Sequence, residues 1–143
     1  MSNKILDCVI IGAGPAGVSA SVYAKRYNLD FVIIEKDSLP GGKASIPHMV
    51  ENYIGFPDGI QGYAISERFE KHLKNLNVTV KNYCCEKIIK NDNYFKIVCS
   101  SQESLLTKTI IIATGTKDKE LGIPGEVTFK GRGVSYCATC DAP

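Results

Sequence analysis

Apolar positions near the start of the chain come in short unbroken runs with polar breaks between them. Leu6-Asp7-Cys8-Val9-Ile10-Ile11 is rich in β-branched residues and suits a buried parallel strand. Val18 to Tyr27 carries small and apolar residues at helical spacing, and Asn28-Leu29-Asp30 breaks it. Phe31-Val32-Ile33-Ile34 reads as a second buried strand, closed by Glu35. Together they predict a βαβ unit of about 30 residues.

Further along the period changes. From Gly62 to Leu76 the apolar residues Ala64, Ile65, Phe69 and Leu73 recur with charges between them. This predicts an amphipathic helix that only packs. Val78-Thr79-Val80 resumes the sheet as a third strand. Residues 86–90, 94–99 and 104–107 read as a small meander of exposed strands, turned at Asn91-Asp92-Asn93. Residues 108–115 read as another buried strand ending in small residues, Ala113-Thr114-Gly115. Residues 116–125 are polar and turn-rich, which predicts a domain boundary at residue 116. The fold class is therefore α/β, a Rossmann-like parallel sheet with a small β-meander.

The first strand runs straight into Gly12-Ala13-Gly14-Pro15-Ala16-Gly17. Gly12 suits the tight turn out of the strand. Gly14 lets backbone approach a pyrophosphate, and Gly17 lets the helix pack on the sheet. The helix N-terminus offers N–H groups and partial positive charge to phosphates. Glu35 closes the next strand and is placed to take ribose hydroxyls. A carboxylate there would repel a 2′-phosphate, so the loop suits FAD or NAD rather than NADP. Pro40-Gly41-Gly42-Lys43 is a turn cluster that follows this strand end and can run along the cofactor. Asn52, in an irregular aromatic stretch, is a candidate partner for an isoalloxazine edge or simply a turn residue. His48 has no paired ligand and reads as a solvated loop residue.

Composition adds exclusions. In 143 residues, 44% are hydrophobic and 22% charged, as in an ordinary soluble domain. The net charge of +2 is dispersed, which gives no argument for nucleic acid. No apolar run is long enough to span a bilayer, and Met1-Ser2-Asn3-Lys4 lacks a signal-peptide layout, so a cytoplasmic protein is expected. Of six cysteines, Cys8, Cys84, Cys85 and Cys99 show no framework spacing and read as buried or semi-buried structural thiols.

Cys137-Ala138-Thr139-Cys140 is different. Its spacing admits half of a zinc site, two structural thiols or a redox disulfide. Zinc needs four ligands, and no second pair with suitable spacing is present, so no metal is expected. The flavin-type loop upstream favours a redox pair. Asp141 suits general acid–base work or an N-cap.

Read together, Ile10 to Gly17, Gly41-Gly42, Glu51-Asn52-Tyr53, Gly55-Phe56-Pro57, Ile111 to Gly115 and Lys130 to Asp141 resemble the N-terminal part of low-molecular-weight thioredoxin reductases. These belong to the FAD-dependent pyridine nucleotide-disulfide oxidoreductases. The resemblance implies FAD and NADPH as cofactors and a homodimer. It implies that NADPH reduces the flavin, the flavin reduces a disulfide, and the dithiol reduces thioredoxin or a thioredoxin-like protein. By position, Cys140 is the thiol nearest the flavin, Cys137 attacks the partner disulfide and Asp141 is the acid. Gly12, Gly14, Pro15, Ala16, Gly17, Glu35, Lys36, Gly41, Gly42, Lys43, Asn52, Thr114 and Gly115 fall on the FAD site. Lys43 stands where the family commonly has Gln. Residues 1–116 are then an FAD-binding domain lacking its C-terminal segment, and 117–143 a linker with the start of the NADPH and redox-disulfide domain. The family is about twice this length and carries a second glycine loop, so a truncated chain or one part of a split enzyme is expected. Ferredoxin as donor, a peroxiredoxin system as acceptor, and a non-catalytic flavin-binding chain are the alternatives.

Overall fold

The computed structural model describes residues 4–100 and 103–137. Among the described residues there are two helices and six strands: β1 (Ile5–Ile11), α1 (Pro15–Arg26), β2 (Phe31–Glu35), α2 (Gly62–Asn75), β3 (Val80–Asn82), β4 (Cys85–Lys90), β5 (Phe95–Cys99) and β6 (Ser104–Ile112). A short 3-10 turn spans Gly42–Ser45. The sheet order is β3-β2-β1-β6-β5-β4. Its first four strands run parallel, and β5 and β4 complete it as an antiparallel meander.

The two faces of β1 explain the layering. Side chains alternate across a strand, so Cys8 and Ile10 face one way and Val9 and Ile11 the other. Ile10, opposite both Ile33 and Ile111 in the register, joins Ile33, Val18 of α1 and Ile65, Phe69 and Leu73 of α2 in one cluster. Val9, Ile11, Val32 and Ile34 form the second cluster with Ile97 and Cys99 of β5. Burial on both faces is why β1 and β2 read as continuous apolar runs.

Several expectations change. The stretches 104–107 and 108–112 form one strand, β6, because no turn separates Thr107 from Lys108 and Lys108 reaches Asp7 at 2.8 Å. The end of β6 is not buried: Ile111 is 40% and Ile112 68% exposed. The meander is not exposed throughout, since Ile97 and Cys99 seal the second cluster. The third strand begins at Val80 rather than Val78, after Asn77 takes φ +51° beyond the helix end. Helix α1 starts at Pro15, three residues before the apolar pattern, because proline at the first helical position loses no hydrogen bond. Among the semi-buried thiols expected, Cys84 is exposed.

Candidate functional site

The loop after β1 is clamped by its neighbours. Gly12 has φ +102°, and its N–H donates to Ile34 O at 2.8 Å. A side chain at Gly12 would run into the Ala113 carbonyl, and one at Gly17 into the Gly12 carbonyl. Gly14 is the exception: a Cβ there would meet no protein atom within 4 Å. It caps α1, whose first turn holds no acidic residue. Pro15 has no N–H to offer, so Ala16 and Gly17 supply the first amides of the helix. An open glycine in front of a helix N-terminus fits the pyrophosphate of a dinucleotide.

Glu35 is 8% exposed and closes this loop from below. Its Oε2 accepts the Ala13 N–H at 2.6 Å and its Oε1 accepts the Asp37 N–H at 3.1 Å. The expected ribose carboxylate is thus also an internal strut. Each oxygen keeps a second lone pair for a hydroxyl donor. The Gly41 N–H donates to Ala13 O at 2.9 Å, and the Gly42 Cβ position would touch Gly14 Cα. The structure therefore brings together Gly12, Gly14, Pro15, Ala16, Gly17, Glu35, Gly41, Gly42 and Thr114 around one loop.

Asn82, which the sequence did not flag, ties the floor of the site. Its Nδ2 donates to the carbonyls of Glu35, Lys36 and Asp37 at 3.1, 3.1 and 2.8 Å. A cleft of about 270 Å³ lies here, lined by Glu35, Asp37, Leu39, Pro40, Val80 and Asn82 among others. Lys36 and Asn52 are exposed, and Gly115 stands open beyond β6 with φ +66°. Lys43 is paired with Asp118, and this ammonium holds the Asp118 carboxyl below its ordinary value.

The segment leading to the cysteines is organised by Glu126, again unforeseen. Only 4% exposed, its carboxylate accepts the N–H groups of Leu121 at 2.8 Å and Gly122 at 2.6 Å, and the Tyr136 hydroxyl. The Tyr136 hydroxyl, then the Leu121 amide, lower the Glu126 pKa, while the carboxylate pushes Tyr136 up to about 12. The Lys130 ammonium sits 4.9 Å from the Tyr136 ring centre. The Cys137 N–H donates to Ser135 Oγ at 3.0 Å. Cys137 is half-buried and disulfide-bonded, while Cys8, Cys84, Cys85 and Cys99 are free. Cys140 and Asp141 lie outside the described residues. Among the described residues no cluster of three or more His, Cys, Asp or Glu could hold a metal ion, and no helix is long and apolar enough to cross a membrane.

Comparison with known proteins places this geometry in a family. The model of the pyridine nucleotide-disulphide oxidoreductases matches residues 6–143. A thioredoxin reductase of Ureaplasma parvum is 45% identical over 143 residues, which are all of this chain and 45% of that protein. One from Bacillus subtilis is 41% identical, over 97% of this chain and 43% of its own. Among solved structures, the thioredoxin reductase of Streptococcus pyogenes superposes with TM-score 0.81 at 41% identity, covering 98% of this chain and 45% of that one. A ferredoxin-flavin thioredoxin reductase from Clostridium acetobutylicum gives TM-score 0.75 at 34% identity, over 98% of this chain and 47% of that one. The chain thus spans a little under half the length of these relatives. With its strand, glycine loop and helix in place and the family model matched from residue 6 onward, the chain belongs to the pyridine nucleotide-disulphide oxidoreductase family.

Proposed function

We propose that this chain is the FAD-binding and redox-disulfide part of a thioredoxin-disulfide reductase. Electrons pass from NADPH through FAD to Cys137 and Cys140, and on to thioredoxin or a thioredoxin-like protein. Residues 1–116 form the FAD-binding part, and 117–143 the linker and the start of the NADPH and redox-disulfide part. The same reading takes the enzyme as a cytoplasmic homodimer. The observation that carries it is the open face of Gly14 at the start of α1, on a chain whose Cys137 is disulfide-bonded.

FAD held in the glycine loop would supply two-electron transfer to the disulfide. Gly12, Gly14, Pro15, Ala16 and Gly17 hold its pyrophosphate by backbone alone. Glu35 accepts the ribose hydroxyls with the lone pairs left over from Ala13 and Asp37. Lys36, Gly41, Gly42, Lys43, Asn52, Thr114 and Gly115 would line the remainder of the cofactor. In the dithiol form, the Cys137 thiolate attacks the thioredoxin disulfide and one partner sulfur leaves as thiolate. Cys140 then displaces the second, so that thioredoxin departs reduced and the Cys137–Cys140 disulfide re-forms. Asp141 delivers the proton to the leaving thiolate.

A second reading replaces NADPH by ferredoxin. It is favoured by the likeness to the ferredoxin-flavin enzyme. The test begins with FAD retention, read as bound absorbance near 450 nm after gel filtration. Wild type is expected to retain FAD, and Gly14→Val to lose it. The bound flavin is then photoreduced without oxygen and thiols at Cys137 and Cys140 are counted by alkylation. No retained flavin, or a reduced flavin beside an intact Cys137 disulfide, overturns the proposal. Reduction of the flavin in the full-length protein by NADPH or by ferredoxin separates the two readings.

A further inference from the structure

Three cysteines outside the candidate site meet on the meander. Cys84 precedes β4, Cys85 opens it, and Cys99 ends β5. The register sets Cys85 opposite Cys99, next to a register shift between Cys85 and Lys87. The backbone determines what kind of pair this is. Ser100 N–H donates to Cys84 O at 3.0 Å, whereas Cys99 N–H turns to Glu103 O at 3.0 Å, away from β4. The Cys84 N–H donates to the Ser100 side-chain oxygen at 3.2 Å rather than to its carbonyl, and with Cys99 N–H turned away, Cys85 and Cys99 face each other as a non-hydrogen-bonded cross-strand pair. At such a pair the Cα atoms lie about 4.5 Å apart and both side chains leave the same face. That falls within the span of roughly 4.4–6.8 Å that a disulfide bridges. Both side chains belong to the cluster built on Val9, Ile11 and Ile97. Both are free thiols. Cys99 is 1% exposed and Cys85 half-buried, so a reagent reaches one sulfur while the other waits behind it.

We propose that Cys85 and Cys99 form a thiol–disulfide site of their own, a reversible cross-strand disulfide made by exchange with a low-molecular-weight disulfide, RSSR. The Cys85 thiolate attacks one sulfur of RSSR. A mixed disulfide Cys85–S–S–R forms, and RS⁻ leaves and takes a proton. The Cys99 thiolate then attacks the Cys85 sulfur, and the second RS⁻ leaves and is protonated. In sum, two protein thiols lose two electrons and two protons, and RSSR becomes two RSH. Cys84 projects from the opposite face of the strand and stays outside the bond. Burial first, then Cys84, raises the Cys85 pKa above its ordinary 9.0. Burial, then Cys85 and Glu103, raise Cys99, with Lys81 opposing. The exchange is therefore slow near neutral pH and quickens about tenfold per pH unit while the thiols remain mostly protonated. Closure ties β4, an edge strand, to β5.

The test incubates the reduced 143-residue chain with oxidised glutathione at pH 9, followed by alkylation and non-reducing peptide mapping, which reads these cysteines separately from Cys137. The expected product is a peptide joining Cys85 to Cys99, in wild type and in Cys84→Ser alike. Amide exchange across residues 85–90 should slow at least tenfold on closure. In Cys99→Val, which keeps the buried volume, the cross-link is lost and Cys85 holds a glutathione adduct. Cys85 and Cys99 both remaining open to alkylation, or Cys85 joined to Cys84 instead, overturns the proposal.

Discussion

The glycine loop after β1 and the segment that leads to Cys137 are both irregular, and both carry candidate redox chemistry, but they are held by different means. The glycine loop is wedged between backbone elements: Ala113 on one side, Gly41 on another, the first turn of α1 above and the Glu35 carboxylate below. Its shape is a consequence of the sheet. The 117–137 segment has no strand or helix of its own. One carboxylate, Glu126, gathers two amides and a hydroxyl from both ends of it, and the Lys43–Asp118 pair joins it to the 3-10 turn. The first arrangement rests on close backbone contacts that leave no room for side chains at Gly12 and Gly17, with one carboxylate as a strut; the second rests on charged side chains throughout. Substitution, pH and salt should therefore act on the two quite differently.

Gly17→Ala should show the largest effect. The added methyl meets the Gly12 carbonyl, which the sheet holds in place, so a loss of about 3 kcal/mol in urea unfolding is expected. Gly14→Ala sharpens the contrast. Its φ of −70° is open to any residue and its Cβ meets nothing, so stability should change by less than about 0.5 kcal/mol. FAD retention should nevertheless fall. If both variants unfolded alike, the loop would not be held by backbone contact.

Glu35→Ala comes next. It leaves the Ala13 and Asp37 amides without their acceptor, and hydrogen bonds to a charged group predict a loss of about 2 kcal/mol, read from the urea midpoint. Glu126→Gln should leave that global midpoint in place while amide exchange at Leu121 and Gly122 quickens at least tenfold. A fall in the global midpoint equal to that of Glu35→Ala would erase the distinction drawn between the regions.

The acid–base prediction is narrower still. Tyr136 has a raised pKa in the folded chain, so its contact with Glu126 is fully present below pH 10 and lost as pH rises through about 12. Glu126 has a lowered pKa, so its side of the contact is present above pH 4.5 and lost as pH falls through the depressed value. Absorbance at 295 nm should place a tyrosine near 12, returning toward 10 in Glu126→Gln. The smallest effect is expected from Lys43→Gln, which opens a partly exposed ion pair. Only exchange at residues 116–120 should quicken, and 0.5 M salt should mimic it in the wild type.

The βαβ unit, α2 and the meander were legible in the sequence because each depends on a local period. The run from Leu6 to Ile11 can bury both faces only as an inner strand, and Gly12, Gly14 and Gly17 follow it at the spacing a strand–turn–helix requires. The family resemblance drew on the same residues and on the motif around Cys137. Tertiary structure decided what those periods do not encode. Residues 104–112 became one strand because β1 and β5 pair with successive parts of it. Asn82 reached the Glu35 strand end from 47 positions away, and Tyr136 found Glu126 ten positions back. Cys85 met Cys99 through antiparallel register. Local pattern states which residues seek burial or a turn. Which distant groups then share a hydrogen bond depends on how the chain closes on itself, and that is settled only when the sheet is assembled.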